Sequence, residues 1–204
     1  FGIKVLPPDV NKSLSDFRAE GNEIFFSMAA IKNVGVPAVE SIVKAREEKP
    51  FSSFFDFAAR VDTRLINKRA FEALVCSGAF DSLHPNRAAL WESIESALSY
   101  SHSVNQNSAQ EESLFGEKSL AAPKEPEIPD VPEWSEDDRL KWEKDVLSFY
   151  VSGHPLNEYR PFLNSLVTLN FGDKDSNMIG QEVRVAGIVN KNKKKLDKKN
   201  NNIA

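Results

Sequence analysis

The chain has a single cysteine, Cys76, among 204 residues. One thiol excludes an internal disulfide, fits a reducing compartment, and lies in an apolar helical pattern where a buried structural role is expected. No run approaches the roughly 20 apolar residues that a membrane-spanning helix needs. No signal-peptide pattern opens the chain, whose first residue is Phe1. The three histidines, His84, His102 and His154, lack ligand spacing and predict no zinc site. No pair of carboxylates is spaced like a catalytic metal site. Asp137-Asp138 read instead as helix-start acids. These absences predict a non-membrane, cytoplasmic protein without a metal or catalytic centre of its own.

The net charge of −4 argues against wholesale DNA wrapping, but it hides a polarised distribution. Residues 1–100 carry 12 basic and 13 acidic side chains, residues 101–165 carry 6 and 13, and residues 166–204 carry 8 and 4. DNA repels an acidic middle, so that part is expected to face protein or solvent.

The most informative stretch is Ile31-Lys32-Asn33-Val34-Gly35-Val36. It reads as a hairpin between two helices. Ile31 closes a short helix, Gly35 and Asn33 supply left-handed backbone, and Pro37 sits in the first turn of the next helix. Ala38, Ile42 and Ala45 continue at helical spacing, with Val39, Val43 and Arg46 alongside. Such a hairpin aims backbone N–H groups at one spot backed by a helix N-terminus, which attracts a phosphate. A nucleic-acid backbone, held without reading its bases, is the expected ligand. The alternative on spacing alone is a plain turn between helices.

Around this hairpin the pattern predicts a β-hairpin from Phe17 to Phe26 about Glu20-Gly21-Asn22-Glu23, and an aromatic core cluster of Phe51, Phe54, Phe55 and Phe57. It predicts helices over Asn67–Ser77, with Gly78 as the stop, and over Asn86–Tyr100. Residues 101–133 are polar and punctuated by Pro123, Pro126, Pro129 and Pro132, and read as a flexible linker. Leu114-Phe115 interrupt it, either packing back on the helices or serving as a short anchor for a partner's pocket. A helix follows over Arg139–Tyr150. Val183, Val185, Gly187 and Val189 then alternate like a strand before the basic run Lys191 to Lys199. A lone strand cannot fold by itself, so the sequence reads as a fragment ending inside a β domain.

Several stretches in order carry a resemblance: Val5-Leu6-Pro7-Pro8-Asp9-Val10-Asn11, Ala30 to Gly35, Phe54-Phe55-Asp56-Phe57, Asn67 to Leu74, Ser77-Gly78-Ala79-Phe80-Asp81, and Ser152-Gly153-His154-Pro155-Leu156. Together they resemble the α-subunit family of bacterial DNA polymerase III, the C-family replicative polymerases. The resemblance implies a mainly α fold, a helix–hairpin–helix domain with a small β-hairpin, followed by a linker, a helix and the first strands of a truncated β-barrel (OB-fold).

Residues 1–100 then correspond to the end of the fingers region with its duplex-binding helix–hairpin–helix, and 101–133 to the linker. Residues 134–165 form a connecting helical segment and 166–204 the start of the OB-fold. Lys32, Asn33, Val34, Gly35 and Val36 would contact duplex DNA, with Asn67, Lys68 and Arg69 as a second backbone contact or simply a solvated helix end. Glu111, Ser113, Leu114 and Phe115 match the family's internal sliding-clamp motif, with Glu111 in the place of a glutamine.

The resemblance also implies primer–template DNA, the sliding clamp, other replicase subunits and single-stranded template as partners of the parent polymerase, and Mg²⁺ as its cofactor. The catalytic aspartates of the family lie in a palm region outside this stretch, so the fragment alone is expected to be inactive. Two other readings stay open: a helix–hairpin–helix segment of a DNA repair protein, or a helical protein-interaction module without DNA contact.

Overall fold

The computed structural model describes residues 2–111, 123–168, 180, 182–189, 195–196 and 202–203. It divides into two compact units, Phe1–Gly153 and His154–Ala204. In the first unit helix α6 (Glu136–Leu147) buries Leu140, Glu143 and Leu147.

That unit is built around an aromatic core. Helix α2 (Phe54–Arg60) is capped by Ser53, whose hydroxyl accepts the Asp56 N–H at 2.9 Å. Phe54, Phe55 and Phe57 are at most 1% exposed, so this short helix is buried on most of its circumference. Phe54 and Phe57 each meet Phe71 and Phe80 edge-to-face at centroid separations of 4.8 to 5.9 Å.

Helix α3 (Lys68–Cys76) starts at Asn67, whose side chain accepts the Ala70 N–H at 3.1 Å. It ends in a Schellman motif: Gly78 N–H donates to the Val75 carbonyl and Ala79 N–H to that of Leu74, both at 3.0 Å, with Gly78 at φ +78°. The expected stop at Gly78 is therefore present.

The helix expected over Asn86–Tyr100 is two helices, α4 (Arg87–Glu92) and α5 (Ile94–Glu111). At the junction the Ser93 hydroxyl donates to the Ala89 carbonyl at 2.8 Å, a local bond that competes with regular helix. Helix α5 also runs well past Tyr100 into the stretch read as linker. Extending an existing helix adds a hydrogen bond per residue without a new nucleation cost, so weak periodicity does not stop it.

The proline-punctuated half of that stretch is extended yet docked. Asn86 Nδ2 donates to the Val131 carbonyl at 2.6 Å, Ser53 Oγ bonds Glu125, and Glu133 accepts the N–H groups of Arg87 and Ala88 at the start of α4. Trp134 meets Trp91 edge-to-face at 5.8 Å. A chain already restricted by proline loses little freedom on docking, so a polar composition here produces a strap across the helices.

The predicted β-hairpin forms from β2 (Arg18–Glu20) and β3 (Glu23–Phe25), joined by Gly21-Asn22 with Gly21 at φ +59°. A third strand, β1 (Lys4–Leu6), pairs parallel to β3, giving the order β1-β3-β2. Parallel pairing between distant segments leaves no turn signal, which is why only the hairpin was readable.

In the second unit, helix α7 (Arg160–Leu166) carries Pro161 in its first turn. Residues 182–189 form no strand with any of the described residues, where the alternation predicted one. Thr168 and Arg184 share two hydrogen bonds, Thr168 N–H to the Arg184 carbonyl at 3.0 Å and Arg184 N–H to Thr168 Oγ1 at 2.8 Å. Val185 and Val189 are 50% and 78% exposed, so the alternation has no layer to pack on. Two-residue strands β4 (Lys195–Leu196) and β5 (Asn202–Ile203) pair antiparallel. No barrel is formed among the described residues.

Candidate nucleic-acid interface

Ser27 opens the first hairpin, accepting the Ala30 N–H at 3.1 Å and capping a 3₁₀ turn over Met28–Ala30. Ile31 and Val34, 2% and 3% exposed, then pin both sides of the hairpin into the core. Between and after them Lys32, Asn33, Gly35 and Val36 stand exposed. Helix α1 (Val36–Glu48) follows with Gly35 as its N-cap, Pro37 in the first turn, and Ala38, Val39 and Ile42 buried.

Two features differ from the sequence expectation. The left-handed residue is Asn33, at φ 66°, while Gly35 is extended at φ −81°. Asn tolerates that region better than most side chains, and an N-cap requires extended backbone. Neither backbone strain nor crowding requires glycine here: a Cβ at position 35 would meet only Pro37 Cδ, at an ordinary 3.6 Å, so what the glycine leaves is open surface beside the amides.

The second difference is that the hairpin does not present all its amides. Lys32 N–H donates to the Val146 carbonyl of α6 at 3.0 Å, and Val34 N–H to that of Ile31 at 3.0 Å. Asn33, Gly35 and Val36 keep N–H groups with no acceptor among the described residues. These amides flank the positive end of the α1 dipole, a ready anion site. Val34 is a packing anchor, and Lys32 contributes only its exposed side chain.

The connection from α2 to α3 is a second turn, Val61–Asn67, pinned by buried Val61 and Ile66 with Arg64, Leu65 and Asn67 exposed. At its start Asp62 accepts the Arg64 N–H at 3.0 Å and holds the Arg64 guanidinium through two further bonds, at 2.9 and 2.7 Å. Those bonds hold the Asp62 carboxyl down at about 2. The sequence reading omitted Arg64; the signal was the Asp-x-Arg pattern immediately before a helix cap.

Asn67, Lys68 and Arg69 are exposed, but they are not equivalent. The Asn67 side chain is consumed in capping, and Lys68 is bound by Glu95, whose hydrogen bond raises its pKa. Arg69 has no side-chain partner among the described residues. Arg60 is a structural cation: its guanidinium bonds the carbonyls of Ala45 and Lys49 at the C-terminal end of α1 and Asp56 at 3.1 Å.

Ser113, Leu114 and Phe115 lie outside the described residues, and Glu111 closes the backbone of α5 with its side chain outside them too. Among the described residues no group of three or more His, Cys, Asp or Glu side chains could hold a metal ion, and no helix is long and apolar enough to cross a membrane. Burial pushes the Cys76 thiol up to about 12, which removes it as a nucleophile.

A helix-hairpin-helix motif family matches residues 2–90 of the chain, a span containing both turns. The chain is 41% identical over 164 residues to the DNA polymerase III subunit alpha of Bacillus subtilis, an alignment covering 80% of this chain and 14% of that protein. The corresponding proteins of Vibrio cholerae and Borreliella burgdorferi are each 36% identical, over 92% and 98% of this chain and 17% and 18% of their own length. The chain thus spans less than one fifth of the length of these relatives. Similarity at this level along most of its residues places the chain in the DNA polymerase III alpha-subunit family.

Proposed function

We propose that this chain is a DNA-holding segment of a replicative polymerase, gripping the duplex backbone through the Lys32–Val36 hairpin. The observation that carries the reading is the set of three uncommitted amides, on Asn33, Gly35 and Val36, beside a helix N-terminus on a surface that glycine keeps open. Amide contacts to phosphate oxygens fix position without reading bases, which suits an enzyme that must copy any sequence. Lys32 and Arg69 add cationic side chains.

The activity of the parent protein, template-directed DNA polymerisation with Mg²⁺, belongs in this reading to the much longer part of the relatives outside this span. Among the described residues no carboxylate cluster fits that metal, and the chemistry is proposed to lie with the rest of the parent protein. The motif Glu111–Phe115 is proposed to tether the polymerase to the sliding clamp, where even a weak tether raises local concentration enough to prevent escape. The basic segment after residue 190 is proposed to face single-stranded template as part of a complete OB-fold. Other replicase subunits complete the partners, and the site of action is the cytoplasm.

The test is duplex binding by the 204-residue chain across a salt series, beside Gly35→Val. Position 35 has extended backbone open to any residue and a Cβ there makes only ordinary contact, so the variant is expected to screen the amides from phosphate, with circular dichroism checking that helix content is kept. Sequence-independent binding that weakens with salt and falls at least tenfold in the variant supports the reading. Equal binding by both proteins, or none at low salt, reduces the hairpin to a structural turn.

A further inference from the structure

A cleft of about 730 Å³ opens between α1, the Val61–Asn67 turn and α5. From α1 come Ser41, Lys44 and Glu48, from the turn Asp62, Thr63 and Arg64, and from α5 His102 and Asn105. Lys44 and His102 are exposed and have no side-chain partner among the described residues. Arg64 is oriented by its paired bonds to Asp62, at 2.9 and 2.7 Å, which also offset its charge and leave its remaining N–H edge as donor. Arg60, also in the lining, is neutralised by Asp56 at 3.1 Å. Glu48 is the carboxylate left without a partner there.

The remaining groups are mostly donors: the Lys44 ammonium, the free edge of Arg64, the Asn105 amide, the His102 ring and the Ser41 and Thr63 hydroxyls. Apart from the exposed His102 imidazole the lining holds no aromatic ring, so a base entering it would find no Phe, Tyr or Trp to stack on. A donor-rich cleft with one imidazole as its single ring, larger than a single small ion, fits a sugar–phosphate unit.

The cleft and the hairpin share helix α1, which begins at the hairpin and lends Ser41, Lys44, Ala45 and Glu48 to the lining. Lys44 is roughly 12 Å along α1 from Val36 at 1.5 Å per residue. A nucleic-acid strand covers that distance in about three or four nucleotides at 3.4 Å per step.

We infer that this cleft is a second phosphate subsite, in which Lys44 and Arg64 hold the backbone of the same nucleic acid that the hairpin grips. The inference rests on the hairpin reading and adds to it a direction: the strand runs along α1 toward α5, not across the end of the helix.

The experiment is anisotropy of a labelled duplex against salt, with the 204-residue chain and its Lys44→Gln, Asn105→Asp, Lys4→Gln and Gly35→Val variants. Lys4 lies on β1, outside the cleft, and controls for loss of one charge anywhere. Lys44→Gln is expected to lower the slope of log K against log salt by about one and to weaken low-salt binding roughly three- to tenfold. Asn105→Asp is expected to weaken it similarly, and Lys4→Gln much less. If Lys44→Gln and Asn105→Asp merely match Lys4→Gln while Gly35→Val still abolishes binding, the hairpin stands and the cleft is refuted. If Gly35→Val is without effect, the shared path is refuted with the hairpin.

Discussion

Gly78→Ala is expected to be far more damaging than its one added methyl suggests. Gly78 has left-handed backbone at φ +78°, which costs an alanine about 1–2 kcal/mol. A Cβ there would also fall 2.1 Å from Arg87 Nη2, 2.7 Å from Arg87 Cζ and 2.8 Å from Asp81 Oδ2. Arg87 cannot simply swing away. It is 2% exposed, bonded to Asp81 at 2.6 and 2.8 Å and to the Cys76 carbonyl at 3.2 Å, with Glu143, fully buried, at 3.5 Å. Breaking a buried ion pair of this kind costs about 3–5 kcal/mol.

The two terms together reach about 4–7 kcal/mol, against a typical domain stability of about 5–15 kcal/mol. Gly21→Ala is the matched control, because Gly21 is also left-handed, at φ +59°, yet nothing lies within 4 Å of its Cβ position. Urea unfolding followed by circular dichroism should show a loss of about 1–2 kcal/mol for Gly21→Ala and at least twice that for Gly78→Ala. Equal losses in the two variants would show that Arg87 relaxes freely, and the reasoning from its confinement would fail.

Two further outcomes follow from the charged surface. Asp62 is expected to titrate near 2 by carbon-detected NMR, and Arg64→Ala to return it toward the ordinary 3.8. Because its folded pKa is depressed, the stability this pairing supplies is present above about 3.8 and is lost as pH falls toward 2. At low salt Arg69→Gln is expected to weaken duplex binding severalfold and Lys68→Gln to matter less, since Glu95 already holds Lys68. A larger effect at Lys68 would show that the ion pair opens on contact with DNA.

Local chemistry was legible in the sequence where one residue type answers one geometric demand. Asn67 as a cap, Gly78 as a helix stop, Gly21 in a two-residue turn and the phenylalanines of the FFDF stretch all take the places their chemistry dictates. The hairpin was found for a partly mistaken reason: its left-handed residue is Asn33, and its open surface comes from Gly35. What remained hidden depends on contacts between distant segments. Nothing near Lys32 announces that its amide is taken by Val146, and nothing in a run of prolines and acids announces that Glu133 caps α4. Polar composition was read as freedom, but hydrogen bonds to helix ends and carbonyls immobilise a polar strap as firmly as apolar burial does.

The bond from Lys32 to the Val146 carbonyl sets an order of events in biosynthesis. The two residues are separated by about a hundred positions, so the contact is highly non-local and its loop must close before it contributes. As the chain leaves the ribosome, the hairpin emerges before α6 and at first has no α6 to lean on. Its surface becomes fully defined only after the helices, the strap and α6 have been synthesised. A nascent chain halted near residue 100 would therefore expose an incomplete hairpin together with Arg87 deprived of Glu143. Completion of the hairpin surface is in this sense a late checkpoint on the whole first unit, reached after its last helix has docked.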